Sequence, residues 1–90
     1  MENLKKELRQ SVSLIRSHYE GACKQFTIDT FDIIENDIDV IDEACVIDTL
    51  ENIVYVVSTS FEIVDPSLVD SLVFRDLLKL FKNHLKQYQK

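Results

Sequence analysis

Carboxylates in the middle of the chain are the residues whose type and spacing most suggest chemistry. Clustered carboxylate oxygens are the ligands that Ca²⁺ prefers. Counted from Asp37, however, the sixth position of an EF-hand loop is Asp42 instead of Gly, and the twelfth is Asp48 instead of Glu. We therefore predict no metal site, and we interpret these side chains as turn residues, helix caps and a surface for a basic protein. The candidate partner-binding residues are Glu35, Asp37, Asp39, Asp42, Glu43, Asp48 and Glu51.

The other side chains with reactive groups are too scattered to predict a catalytic or zinc site. Zinc needs four closely spaced ligands, and the only Cys and His residues are His18, Cys23, Cys45 and His84. No Ser lies in a nucleophile-elbow pattern, and no glycine-rich loop could hold a phosphate. We predict no enzymatic activity and no cofactor. Cys23, which is next to the basic Lys24, is the one thiol whose reactivity merits a test.

Acidic and basic residues are segregated along the chain, which the small net charge does not reveal. The 90 residues include 10 Lys and Arg and 16 Asp and Glu, for a formal net charge of −6. Residues 25–74 hold twelve of the acids and no Lys, Arg or His, whereas residues 1–24 and 75–90 hold five Lys or Arg each. The negative balance disfavours direct binding to nucleic acid, whose phosphates need clustered cations. Either the basic ends of the chain or a basic partner must compensate the acidic middle.

Apolar residues recur every three or four positions through most of the sequence, which is typical of amphipathic helices. We predict an all-α fold, a small antiparallel bundle of four helices or of three long ones. The spacing places helix 1 at about 2–23, helix 2 at about 28–36, helix 3 at about 42–63 and helix 4 at about 66–88.

The middle of the chain also permits a different fold. Residues 53–64 carry apolar side chains at alternate positions, as a half-buried strand would. The alternative is an α+β fold with two terminal helices and a short central three-stranded sheet. Its hairpins would need tight turns without the glycines that such turns usually contain, since the chain has only one Gly. We therefore favour the helical fold.

Length and local hydropathy bear on domain organisation and location. Residues 1–90 are expected to form a single domain, because a second core would have too little interior. The charged start of the chain lacks the apolar run of a signal peptide, and no apolar run approaches the ~20 residues that span a bilayer. We expect no membrane contact and a cytoplasmic protein whose Cys23 and Cys45 are unpaired thiols, with a single bridge between them as the alternative.

These features predict a small acidic protein-interaction domain whose central helices engage a basic partner. Inhibitors, immunity proteins, antitoxins, adaptors and chaperones of this size use clustered charge to steer association. The alternatives are a structural helical homodimer without a basic external partner, and a mimic of nucleic acid whose carboxylates replace phosphates. Self-association is compatible with partner binding, because these apolar residues lie off the main helical stripes: Ile33, Val40, Ile47, Val54, Val56, Ile63 and Val73.

Overall fold

The computed structural model of the protein describes residues 1–89, which form four α-helices and contain no β-strand. The predicted all-α fold is confirmed, and the alternative with a central sheet is wrong for the described residues. None of these helices is long and apolar enough to cross a membrane. In chain order they are α1 (Glu2–His18), α2 (Gln25–Asp39), α3 (Val46–Ile63) and α4 (Val69–Tyr88).

Short connections make the helices run alternately up and down. Contacts of α1 show this directly, because Arg9 pairs with Asp39 while Arg16, farther along α1, pairs with the earlier Asp32 of α2. α1 also packs on α4, and α3 packs most extensively on α4. Among neighbouring helices, α2 and α3 touch least. The order around the bundle is therefore α1, α2, α3, α4, with an open seam between α2 and α3.

One hydrophobic core joins all four helices. Its residues follow the three-and-four spacing of the sequence, and burying each large side chain contributes about 1.5–3 kcal/mol. The completely or almost completely buried large side chains are Leu8, Val12, Phe31, Ile34, Ile38, Ile41, Leu50, Ile53, Val57, Phe74, Leu77 and Phe81.

The first two helices depart from their predicted limits at the connection between them. α1 ends at His18 instead of near residue 23, and Gly21 in the following turn has a φ of 81° that no α-helix contains. α2 begins at Gln25, three residues earlier than predicted, and continues to Asp39 through the expected break after residue 36. The predicted end of helix 1 was wrong because the three-and-four spacing of apolar residues continues into the turn that contains Gly21.

The last two helices begin later than predicted, since an aspartate folds a turn ahead of each. Asp42 Oδ1 accepts the backbone N–H groups of Ala44 and Cys45, so α3 starts at Val46 and not at 42. Asp65 Oδ1 accepts the backbone N–H of Ser67 at 2.9 Å and its hydroxyl at 2.8 Å, so α4 starts at Val69 and not at 66. Both aspartates accept hydrogen bonds from backbone N–H groups two or three residues further along the chain. Such local turns compete with helix capping by the same side chain.

Asp70, in the first turn of α4, is the only buried acidic side chain among residues 1–89 and is 1% exposed. Its Oδ2 accepts the backbone N–H of Lys24 at 2.9 Å and also the hydroxyl of Thr27. Lys24 is the N-cap of α2 and makes no side-chain cap hydrogen bond of its own. The carboxylate thus lies at the N-termini of two helices, where both helix dipoles favour a negative charge. It ties α4 to α2 at one end of the bundle.

We expect Asp70→Ala to lower the free energy of unfolding by about 2–3 kcal/mol, because the N–H of Lys24 and the hydroxyl of Thr27 would lose their buried acceptor. Urea denaturation followed by far-ultraviolet circular dichroism measures this change. Glu62→Ala, which removes an exposed carboxylate, is the matched control and should change stability by no more than about 0.5 kcal/mol. Equal losses in the two variants would contradict the role of Asp70.

Candidate interaction surface

Glu35 and Asp39, two of the predicted partner-binding residues, are engaged by α1. Arg16 Nη1 donates to Glu35 Oε1 at 3.0 Å and to Asp32 Oδ1 at 3.0 Å. Burial alone would lower the pKa of Arg16, but its hydrogen bonds to these two carboxylates raise it. Asp39 accepts hydrogen bonds from Arg9. The basic N-terminal helix therefore compensates part of the acidic middle within the fold.

Asp42 is also engaged, since its carboxylate holds the turn between α2 and α3. Hydrogen bonding to Cys45, together with that from the N–H of Ala44, lowers the pKa of Asp42, and the charge of Lys5 acts in the same direction. Lys5 Nζ in turn donates to the carbonyl oxygen of Asp39 at 3.0 Å. This turn is thus closed by its own carboxylate and covered by a lysine of α1.

The other four predicted residues form no ion pair within residues 1–89 and fall into two groups. Asp37 is half-buried in the last turn of α2, and exposed Glu43 lies in the connection to α3. Asp48 and Glu51 lie on the outer face of α3, where both are exposed. The seven carboxylates therefore lie in separate parts of the bundle, and their binding of a basic partner stays a prediction.

An exposed apolar stripe runs along α2 on the side turned away from α1. Phe26, Ile33 and Val40 recur every seven residues, or about two helical turns, and they are 45%, 50% and 66% exposed. We call these three residues the α2 stripe. Phe26 also stacks on buried Phe74 of α4 with ring centroids 6.1 Å apart, which anchors one end of the stripe. The sparse contact between α2 and α3 leaves the stripe uncovered.

Carboxylates border the α2 stripe. Asp29 lies three residues after Phe26 and four before Ile33, and Asp37 lies four after Ile33 and three before Val40. Residues at these separations are neighbours on a helix surface. Glu43 follows Val40 by three residues in the connection to α3. The surface is therefore apolar along its centre and acidic at its edge.

Only part of this surface could be found in the sequence. Ile33 and Val40 were expected off the main helical stripes, and their exposure confirms it, whereas Val73 of the same predicted set is fully buried. Phe26 lies between the predicted helices 1 and 2, although its seven-residue spacing from Ile33 is a usable signal. Asp29 was not among the predicted partner-binding residues.

A cavity of about 260 Å³ opens where α1 turns toward α2, with Arg16, Tyr19, Cys23 and Phe31 among its lining residues. Tyr19 donates its hydroxyl to Asp76 Oδ2 at 2.8 Å, and this hydrogen bond raises the pKa of Tyr19. Burial raises the pKa of the Cys23 thiol, and the charge of Asp70 raises it further. Since the thiolate is the nucleophilic form, the environment holds Cys23 in its less reactive state.

Residues 1–89 contain no group of three or more His, Cys, Asp or Glu side chains arranged to hold a metal ion. Both cysteines are free thiols. Cys23 precedes α2 and Cys45 follows it, so the 15 residues of that helix, about 22 Å in length, separate them. This separation is too large for a disulfide, so the alternative of a single bridge is wrong.

Comparison of the chain with protein families, with characterised proteins and with solved structures found no significant match. The α2 stripe is an exposed apolar row with an acidic border, on a helix that carries no cation. Function is therefore inferred from this surface and from the charges around it.

Because its pKa is raised, Cys23 should react with iodoacetamide at pH 8 several-fold more slowly than the same thiol in the unfolded chain. The rate is measured by mass spectrometry on a Cys45→Ser variant, in buffer and in urea. A Cys23→Ser, Cys45→Ser variant gives the background. A folded protein that reacts faster than the unfolded one would contradict this assignment.

Proposed function

We propose that this chain is a non-enzymatic protein-interaction domain that binds a basic, amphipathic helical segment of another protein. The observation that carries the proposal is the α2 stripe, an uncovered apolar row bordered by carboxylates. An apolar row of this spacing is what an amphipathic helix needs for docking, since its own anchors recur at three, four and seven residues. The binding site consists of Phe26, Ile33 and Val40 with Asp29, Asp37 and Glu43.

Electrostatics supports a basic partner. Both helices that border the open seam, α2 and α3, lie within residues 25–74, where no Lys, Arg or His occurs. The cations of α1 pair with Asp32, Glu35 and Asp39 on the opposite side of α2, so they do not neutralise the border of the stripe. Clustered charge of one sign speeds encounter with a partner of opposite sign and opposes binding of acidic proteins.

The exposure of the α2 stripe supports a partner that is bound by apolar contacts as well as by charge. Three large apolar side chains lie in one row, and Ile63, 78% exposed at the end of α3, adds a fourth at the same end of the bundle as Phe26. Surface ion pairs contribute only about 0–1 kcal/mol each, so affinity must come mainly from burying apolar side chains. Such a surface fits an inhibitor, immunity protein, antitoxin, adaptor or chaperone. The two free thiols support a cytoplasmic location.

A synthetic helical peptide of about 18 residues, with Leu on one face and Lys on the other, is the direct probe. We expect it to bind, and we expect Ile33→Asp to weaken binding about tenfold or more because it places a charge in the apolar row. Leu14→Asp, at an exposed apolar position of α1, is the matched control and should leave binding unchanged. Fluorescence anisotropy measures the affinity. Equal effects of the two variants, or equal binding of a peptide with Glu in place of Lys, would contradict the proposal.

The natural partner can be sought with a photo-crosslinking amino acid placed at position 33 and, in a separate variant, at position 14. We expect an adduct from position 33 alone, and we expect Asp29→Lys with Asp37→Lys to abolish it through like-charge repulsion. Glu20→Lys, at an exposed acid outside the stripe, is the control for charge reversal. Adduct masses are measured by gel and mass spectrometry. The same adducts from both positions, or none from position 33, would argue against this binding site.

A further inference from the structure

The outer surface of the α3–α4 pair carries three parallel rows that the proposed function does not use. On α3, Asp48, Glu51 and Glu62 are exposed and share one face with Tyr55. On α4, exposed basic residues recur at intervals of four, three and four positions. They are Arg75, Lys79, Lys82 and Lys86.

Apolar residues lie between the acidic and the basic row. On α3, Ile47, Val54 and Phe61 are seven residues apart, between the buried row of Leu50 and Val57 and the acidic face. Ile47 and Phe61 are 36% and 37% exposed. On α4, the half-buried Leu78 and Leu85 lie in the corresponding place, between the buried phenylalanines and the lysines.

Contacts of α4 show which of its sides faces α3. Tyr19, which follows the last residue of α1, reaches Asp76, and Glu7 of α1 reaches His84, so that side of α4 is covered by α1. The leucines lie on the other side and therefore on the α3 side. The α3–α4 face thus consists of an acidic row, an apolar seam and a basic row.

The charges of this face are not satisfied within the bundle. Among residues 1–89, Arg75 pairs only with its neighbour Asp76, and no ion pair joins α3 to α4. A surface that carries opposite charges on its two sides is complementary to a copy of itself, provided that the symmetry axis exchanges the sides.

We propose that two copies of this chain form a homodimer through the α3–α4 face, with the twofold axis parallel to the bundle axis. A rotation about that axis places α3 of one copy against α4 of the other at the same height. The acidic rows then face the basic rows, and the two apolar seams meet at the centre. A twofold axis across the bundle would instead place α3 against α3, with acid facing acid.

Height along the helices identifies the residues that meet. Glu51 lies 12 residues before the end of α3 and Lys82 lies 13 residues after the start of α4, so both are about 18–20 Å from the connection between these antiparallel helices. Glu51 of one copy therefore lies at the height of Lys82 of the other. The symmetry produces this pair twice in the dimer.

The size of the face agrees with a dimer of modest affinity. The bundle measures 37 × 22 × 17 Å, so even its narrower side presents roughly 600 Å², somewhat below the ~800 Å² that each partner buries in a standard interface. The α3–α4 face is separate from the α2 stripe, so the dimer does not depend on the proposed binding of a basic helix.

Sedimentation equilibrium over the micromolar range tests the dimer, and charge exchange tests its geometry. We expect the dimer Kd to rise about tenfold in Glu51→Lys and in Lys82→Glu, because each substitution places like charges together twice. The double variant with both substitutions restores the opposite charges and should restore dimerisation. Circular dichroism checks that each variant is folded, which is expected because both side chains are exposed.

Three results would overturn the proposal. A protein that is monomeric throughout the micromolar range has no such dimer. A dimer that Glu51→Lys strengthens has α3 facing α3. A dimer that Ile33→Asp abolishes, while the charge variants leave it unchanged, uses the α2 stripe and also bears on the proposed function.

Discussion

The absence of any cation from residues 25–74 is the constraint on which the arrangement of this bundle depends. Two of the four helices cannot compensate their own charge, so any compensation within the fold must come from the ends of the chain. α1 provides it on one side of α2, where Arg9 and Arg16 meet Asp39, Asp32 and Glu35. Exposed pairs of this kind contribute little stability each, but they favour one order of helices over another. What α1 does not reach remains acidic and faces outward.

Asp70 represents the other way in which this fold accommodates an acid. Its carboxylate is removed from water, which costs free energy unless hydrogen bonds and favourable dipoles replace hydration. The N–H of Lys24 and the hydroxyl of Thr27 supply that replacement at Oδ2, and the N-terminal ends of α2 and α4 favour the charge. Oδ1 is buried without a hydrogen-bond partner. The same contact connects α2 and α4, which are far apart in sequence. Burial raises the pKa of Cys23, and the charge of Asp70 raises it further. One buried acid thus orders the end of the bundle.

Much of the fold could be predicted because the three-and-four spacing of apolar residues indicates both the helices and their buried faces. Leu8, Ile34, Leu50 and Leu77 are buried where the three-and-four spacing places them. Helix ends were less predictable, since Asp42 and Asp65 form local turns where an aspartate could equally cap a helix. The candidate interaction surface was predicted only in part. Acidity located it in the central helices, but the sequence could not show which carboxylates α1 would occupy.

The amino-acid sequence by itself determined the helical class, most of the core and the segregation of charge. Residue spacing of three and four and the order of ionisable groups can be read along the chain without knowing which helices become neighbours. Only the tertiary structure decided that Glu35 and Asp39 pair with α1, that Phe26, Ile33 and Val40 remain uncovered, and that Asp70 is buried at the start of two helices. The physical reason is that these outcomes depend on which helices become neighbours. That choice places residues 16 to 57 positions apart in hydrogen-bond contact and leaves others of the same type in water.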